Sequence, residues 1–176
     1  MAKLNAIEHT FGASKNVLVA VKGAGDLATG VMHRLKRAGF AVMATELAHP
    51  TVLRRTVAFA EAIALGQMTV EGIIAQRANS IVDIRVILGN NFVPIIVDPD
   101  GIALKKMQPY VLVEATLLKY NSGINMNDAP IVIALGPGYE AGIDAHAVIE
   151  TNRGHNLGRV YPVSYTHLTL PTNREV

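Results

Sequence analysis

The chain has 176 residues, of which 50% are hydrophobic and 17% are charged, and it carries a net charge of +2. This length fits one domain with a sizeable core, and the apolar content excludes a disordered chain. Sixteen basic and fourteen acidic residues form no basic stripe, so we expect no nucleic-acid partner. Apolar runs such as residues 131–135 are too short to cross a bilayer, so we expect no membrane association.

Cysteine is absent from the chain, which excludes disulfides, thiolate catalysis and cysteine metal ligands. The N-terminal residues show no long apolar segment followed by a cleavage site, as an export signal requires. Together these features predict a cytoplasmic protein.

The first elements predict a strand, a helix and a second strand. Residues 16–22 form a short segment that is rich in β-branched residues and followed by glycine, as in a buried strand. Residues 26–38 have helical spacing, with an apolar stripe of Leu27, Val31, Leu35 and Ala38, and Gly39 ends the helix. Residues 40–45 form a second apolar strand, so the unit predicts a parallel pair with a crossover helix.

The later elements alternate in the same way. A helix is predicted over residues 51–65 and another over 80–88, and residues 68–75 suggest a short strand pair interrupted at Glu71 and Gly72. Further strands are predicted at 93–98, 110–114 and 131–135, whereas 145–151 fits either a strand or a helix. This alternation predicts an α/β, Rossmann-like fold with a largely parallel sheet and flanking helices.

The sharpest local motif is a glycine loop between the first strand and the first helix. Gly23, Gly25 and Ala28 fit the pattern G-x-G-x-x-G/A. A tight turn at Gly23 and the missing Cβ at Gly25 let backbone N–H groups approach a phosphate, and small Ala28 permits close helix packing. Glu46, at the end of the second strand, stands where an NAD-type site has its ribose-binding acid.

The loop has a competing interpretation as a purely structural turn. Asp26 places a carboxylate close to the position of a pyrophosphate, although it is also suited to cap the helix. Glycine-rich strand–helix turns also occur in α/β proteins that bind no dinucleotide.

A second polar cluster follows the strand at 131–135. Gly136 and Gly138 form a tight turn, expected at the same sheet edge as the first loop. Three readings of the next segment stay open: a metal site from His146, Glu150 and His155, an anion site from Arg153, His155 and Arg159, or a solvated structural loop. The metal spacing matches no strong motif, so we expect no metal.

The last fourteen residues differ in kind from the rest. Residues 163–172, VSYTHLTLPT, resemble the translation of a transposon-type sequencing adapter. We therefore expect residues 1–162 to be a Rossmann-like domain, the N-terminal part of a longer protein, and residues 163–176 to be a non-native tail.

Four blocks of sequence, in order, resemble the YqeB family. They are VKGAGDLATG (21–30), ELAHPTVLRRTV (46–57), DAPIVIALGPG (128–138) and VIETNRGHNLGR (148–159). The resemblance spans residues 16–160. It implies an accessory role in the maturation of selenium-dependent molybdenum hydroxylases, with that enzyme and other maturation proteins as partners. It also implies NAD(P) or a molybdopterin dinucleotide as the cofactor, and it carries over no catalytic residue.

Two other functions compete with maturation. The glycine loop and Glu46 would suit an NAD(P)-dependent oxidoreductase, but the chain has no Tyr-x-x-x-Lys pair to supply a catalytic acid in a recognised setting. A Rossmann-like domain without a ligand would suit an assembly scaffold.

Overall fold

The computed structural model describes residues 17–163, which form one mixed sheet flanked by helices. The strands of this part of the chain are β1 (Leu18–Lys22), β2 (Ala41–Glu46), β3 (Gln67–Val70), β4 (Ile73–Ala78), β5 (Val93–Val97), β6 (Val111–Glu114), β7 (Ile131–Leu135), β8 (Ala147–Ile149) and β9 (Val160–Pro162). Its helices are α1 (Asp26–Arg37), α2 (Ala62–Leu65), α3 (Ile81–Gly89) and α4 (Ile102–Met107), with 3₁₀ turns at Arg55–Val57 and Phe59–Glu61.

The strand order is β3-β4-β5-β2-β1-β6-β7-β8-β9. In this spatial order, all neighbouring strands from β4 through β5, β2, β1, β6 and β7 to β8 pair in parallel. The two outer pairs, β3 with β4 and β8 with β9, are antiparallel. The sheet therefore confirms the predicted largely parallel α/β fold. Strand β2 lies on one side of β1, and β6, which comes later in the chain, lies on the other side. This reversal of direction opens a crevice at the carboxyl ends of these strands.

Both faces of the sheet are covered, which explains why the central strands are apolar throughout. One core contains Val19 and Val21 of β1, packed with Ala28 and Met32 of α1. The opposite core contains Ala20 of β1. Because successive strand residues point to opposite faces, Lys22 of β1 lies on the face opposite α1.

Two residues of the predicted stripe of α1, Val31 and Leu35, are partly buried and pack against the core, but they are not the most buried residues of the helix. Ala28, Met32 and His33 are buried, whereas Leu27 is 47% exposed. Small Ala28 packs in the same core as Val19 and Val21 of β1. The predicted bounds of the helix, from Asp26 to the stop at Gly39, are confirmed within one or two residues.

The helix predicted over residues 51–65 is wrong. Residues 51–54 are irregular, two 3₁₀ turns follow, and α2 is a single turn. The backbone N–H of Ala60 bonds to the carbonyl of Ala24, and that of Phe59 bonds to the Thr29 hydroxyl. These donors serve the glycine loop and α1, so they are not available for an i→i−4 ladder.

The remaining predictions of secondary structure are mostly confirmed. The β3–β4 hairpin turns at Glu71 and Gly72, as predicted, and the ambiguous segment 145–151 contains a strand. Helix α4 and strand β9 have no counterpart in the sequence-based prediction. The tail assigned to residues 163–176 lies outside the described residues, apart from Val163. Within residues 17–163, no helix is long and apolar enough to cross a membrane.

Candidate functional site

A cleft of about 740 Å³ lies at the carboxyl ends of β1, β2 and β6, where the topology opens the sheet. The glycine loop forms one wall of this cleft. Gly23 has φ +95°, and a Cβ there would lie 3.2 Å from the backbone of Ala115, which follows β6. Glycine at position 23 is therefore required by the fold itself, because the loop touches β6.

Gly25 lines the cleft for a different reason. Its φ of −63° suits any residue, and an added Cβ would have no atom within 4 Å. The fold does not demand glycine here, so a side chain would simply project into open space beside the cleft. The backbone N–H groups of Gly25, Asp26 and Ala28 donate to no group in residues 17–163. Free N–H groups at a helix N-terminus form a site for an anion.

Glu46 lies in the cleft at the end of β2, but its carboxylate is bonded to backbone N–H groups. Its Oε2 accepts from the N–H of Ala24 at 2.8 Å, and Oε1 accepts from the N–H of Leu47 at 2.7 Å. Each carboxylate oxygen has a second lone pair, so Glu46 keeps the capacity to bind a ribose hydroxyl. Its contact with Ala24 also fixes the position of the glycine loop.

Asp26 is the first residue of α1 and does not cap it, because the N-cap residue is Gly25 and the helix has no side-chain cap hydrogen bond. The Asp26 Oδ1 accepts from the N–H of Leu27 at 2.9 Å, and its Oδ2 forms an ion pair with Arg54. The Arg54 guanidinium offsets the negative charge that Asp26 brings to the anion site. It also places a cation at the cleft. Sequence reasoning did not select Arg54, because it lies in a segment that was predicted to be helical.

A buried polar network lies on the β6 side of the cleft. Glu114 is completely buried, and its carboxylate accepts hydrogen bonds from the N–H of Thr116 at 2.8 Å and from the hydroxyls of Ser122 and Tyr139. The Lys22 ammonium donates to the carbonyl and the hydroxyl of Ser122 at 2.9 and 3.0 Å. This network connects the end of β1, the end of β6 and the loop after β6.

Tyr139 completes this network from the turn after β7. Its hydroxyl donates to Glu114 and accepts from the N–H of Ser122 at 3.1 Å. Burial, followed by the hydrogen bond to Glu114, raises the pKa of Tyr139 to about 12. The phenol therefore remains a proton donor to Glu114 at neutral pH.

The mouth of the cleft is apolar. Leu27, Leu47 and Leu53 line it and are 47%, 53% and 99% exposed, respectively. Exposed leucines around a polar floor are suited to contact the flat face of a ring system while the loop binds an attached phosphate.

The second glycine turn lies at the predicted edge of the sheet, but it packs against protein. A Cβ at Gly138 would approach the backbone N of Tyr120 to 2.7 Å, and one at Gly136 would approach the Thr151 hydroxyl to 2.9 Å. Neither residue lines the cleft. Both glycines instead allow this turn to contact its neighbours closely.

The other predicted site residues lie apart from the glycine loop. His146 precedes β8, at the amino end of the sheet, where its Nδ1 accepts from the N–H of Val132 at 3.0 Å. Arg153, His155 and Arg159 are exposed in the β8–β9 connection and do not line the cleft. Among residues 17–163, no group of histidine and carboxylate side chains has the geometry of a metal site.

The cleft also contains residues that sequence reasoning left out: Lys22, Arg54, Thr116 and Ser122. Lys22 had one available signal, since it directly precedes the glycine loop. The others lie in loops whose positions depend on the order of strands in the sheet.

The structure thus defines an α/β, Rossmann-like domain with a polar cleft at its topological switch point. No protein-family model matches the chain. The chain is 50% identical over 147 residues to Uncharacterized protein YqeB of Escherichia coli (strain K12), and the match covers 84% of this chain but 27% of that protein. The chain thus spans about a quarter of the length of this relative. Among solved structures, TcdA (CsdL) is similar over 73% of this chain and 52% of its own, with 18% identity and a TM-score of 0.46.

Proposed function

We propose that this chain is part of a cytoplasmic accessory protein for the maturation of selenium-dependent molybdenum hydroxylases, and that its glycine loop binds NAD(P) or a molybdopterin dinucleotide. The observation that carries the binding proposal is Gly25, which lines the cleft, donates its N–H to no group in residues 17–163 and has open space where a Cβ would lie. The hydroxylase and its other maturation proteins are the proposed partners. This context rests on the four sequence blocks and on the similarity to YqeB.

The backbone of the loop favours a bound phosphate over an empty turn, while the side-chain charges that line the cleft balance, with Lys22 and Arg54 against Asp26 and Glu46. The N-terminus of α1 contributes about half a positive charge, and its free N–H groups add hydrogen bonds. The Asp26 carboxylate opposes an anion, but Arg54 pairs with it and thereby offsets most of that repulsion.

An NAD(P)-dependent oxidoreductase is the second candidate, and the position of Glu46 favours it. Glu46 lies at the end of β2 and lines the cleft, as a ribose-binding carboxylate must. Against this candidate, the chain has no Tyr-x-x-x-Lys pair to supply a catalytic acid in a recognised setting. An assembly scaffold that binds no ligand is the remaining alternative.

Titration calorimetry of this chain with NAD(H), NADP(H) and a molybdopterin dinucleotide tests the proposal. Gly25→Val fills the open space beside the loop, whereas Gly30→Val adds the same side chain to an exposed part of α1 that also has nothing within 4 Å. We expect Gly25→Val to abolish binding and Gly30→Val to retain it. Failure of every dinucleotide to bind would favour the scaffold, and turnover of a small substrate with NAD(P) would favour the oxidoreductase.

A further inference from the structure

The β6 side of the cleft has its own polar lining, separate from the glycine loop. Lys22 pairs in register with Glu114, so both side chains lie on the sheet face opposite α1. Thr116 and Ser122 lie in the loop that follows Glu114, and with Lys22 they line the cleft. We call Lys22, Thr116 and Ser122 the β6 subsite.

Lys22 retains a donor after its contacts within the protein. An ammonium group has three N–H donors, and the two hydrogen bonds of Lys22 both go to Ser122. Among residues 17–163, nothing accepts the third N–H. The buried Glu114 carboxylate lies one hydroxyl away through Ser122, so its negative charge helps to hold the ammonium in place.

Thr116 has a hydroxyl that the protein does not satisfy. Its Oγ1 is buried and finds no hydrogen-bond partner in the described part of the chain. Such a group destabilises a folded protein, because it loses its bonds to water and gains none in return. An unsatisfied hydroxyl in a residue that lines a cleft is explained if a ligand supplies the missing partner.

We propose that the β6 subsite binds an acceptor oxygen, a carbonyl or an anionic oxygen, on the second half of the dinucleotide whose pyrophosphate lies at the glycine loop. This inference rests on the proposed function. Lys22 donates its third N–H to that oxygen, and Thr116 Oγ1 adds a second hydrogen bond. The subsite therefore distinguishes a full dinucleotide from a nucleoside diphosphate, which ends at the phosphates.

The network around Glu114 accounts for why the subsite is rigid. Glu114 accepts from the N–H of Thr116, and Tyr139 accepts from the N–H of Ser122, so both ends of the loop are fixed. The Lys22 ammonium is therefore already in position for the ligand, whereas the Thr116 side chain turns its buried hydroxyl towards the ligand on binding.

The test compares each dinucleotide with its matching half, the nucleoside diphosphate that would lie at the glycine loop. Calorimetry measures NAD⁺ against ADP, and a molybdopterin dinucleotide against its own nucleoside diphosphate, with Lys22→Met and Thr116→Val. We expect Lys22→Met to weaken dinucleotide binding by about 10- to 100-fold, the range for a hydrogen bond to a charged group, and to leave binding of the half unchanged. Lys36→Met is the matched control, because Lys36 also donates a side-chain hydrogen bond but lies away from the cleft.

Thr116→Val provides a second measurement that does not depend on Lys22. Removing an unsatisfied hydroxyl should raise the Tm of the unliganded chain by about 2–4 °C, while it weakens dinucleotide binding by about tenfold. A purely structural role for Thr116 predicts a lower Tm instead. Equal weakening of halves and dinucleotides, or unchanged binding in both variants, overturns this inference alone. Absence of all nucleotide binding by the unaltered chain overturns the proposed function together with it.

Discussion

Replacement of Tyr139 by phenylalanine should destabilise the chain by an amount that depends on pH. Tyr139 is 3% exposed, and its hydroxyl donates to the buried Glu114 carboxylate. Its pKa rises from 10.0 to about 12, for which burial is the first cause and the bond to Glu114 the second. Removing the phenol leaves the buried Glu114 carboxylate without this donor, and a hydrogen bond to a charged group contributes about 2–3 kcal/mol.

The sign of the pH dependence follows from the raised pKa. Between about pH 10 and pH 12 the unfolded chain has lost the phenolic proton while the folded chain retains it, so stability falls as pH rises. The contribution of Tyr139 is therefore complete below about pH 10. It should decline by about 1.4 kcal/mol per pH unit above that value. Tyr139→Phe has no proton to lose, so the difference between the two proteins narrows over the same range.

Urea unfolding followed by far-ultraviolet circular dichroism measures this difference, since the chain has no tryptophan to report fluorescence. We expect unfolding free energies about 2–3 kcal/mol apart at pH 7 and converging above pH 10. Tyr110→Phe serves as the control, because Tyr110 is 54% exposed. If Tyr139→Phe and the unaltered chain lose stability in parallel above pH 10, burial and the hydrogen bond to Glu114 do not raise the pKa of Tyr139.

Two further substitutions test local parts of the structure. Ser80→Ala should lower the unfolding free energy by about 1 kcal/mol in urea titrations, because the Ser80 hydroxyl accepts from the N–H of Asp83 and caps α3; an unchanged midpoint would show that the cap contributes nothing. Arg54→Gln should weaken NAD⁺ binding by about tenfold at low salt while changing the unfolding free energy by less than about 1 kcal/mol. Arg55→Gln is its control, since both arginine side chains are 66% exposed and ion-paired but Arg55 does not line the cleft. Equal effects of the two changes on binding would remove Arg54 from the site.

The sequence was sufficient to identify the elements whose signals are local. Strand β1, the glycine loop and the start of α1 follow one another within twenty residues. Each is marked by its own composition: β-branched residues, glycines at fixed spacing, then helical periodicity. The position of Glu46 in the cleft was also predictable, because parallel strands joined by a short crossover place their carboxyl ends at one edge.

Longer-range contacts decided what the sequence could not. Residues 51–65 have a helical pattern, yet Phe59 and Ala60 donate to α1 and the glycine loop and so cannot form a helix there. Similarly, the packing of α1 against the sheet places Ala28 in the core and leaves Leu27 to line the cleft.

The division between sequence and tertiary structure is clearest within the cleft itself. The glycine-loop half is contiguous in the chain, so its residue spacing alone specified Gly23, Gly25 and Ala28. The other half brings Lys22 and Glu114 together across 92 residues, and only the pairing of β1 with β6 sets them side by side. A hydrogen bond between distant residues leaves no periodic signal in the sequence, since its geometry depends on the order of strands in the sheet.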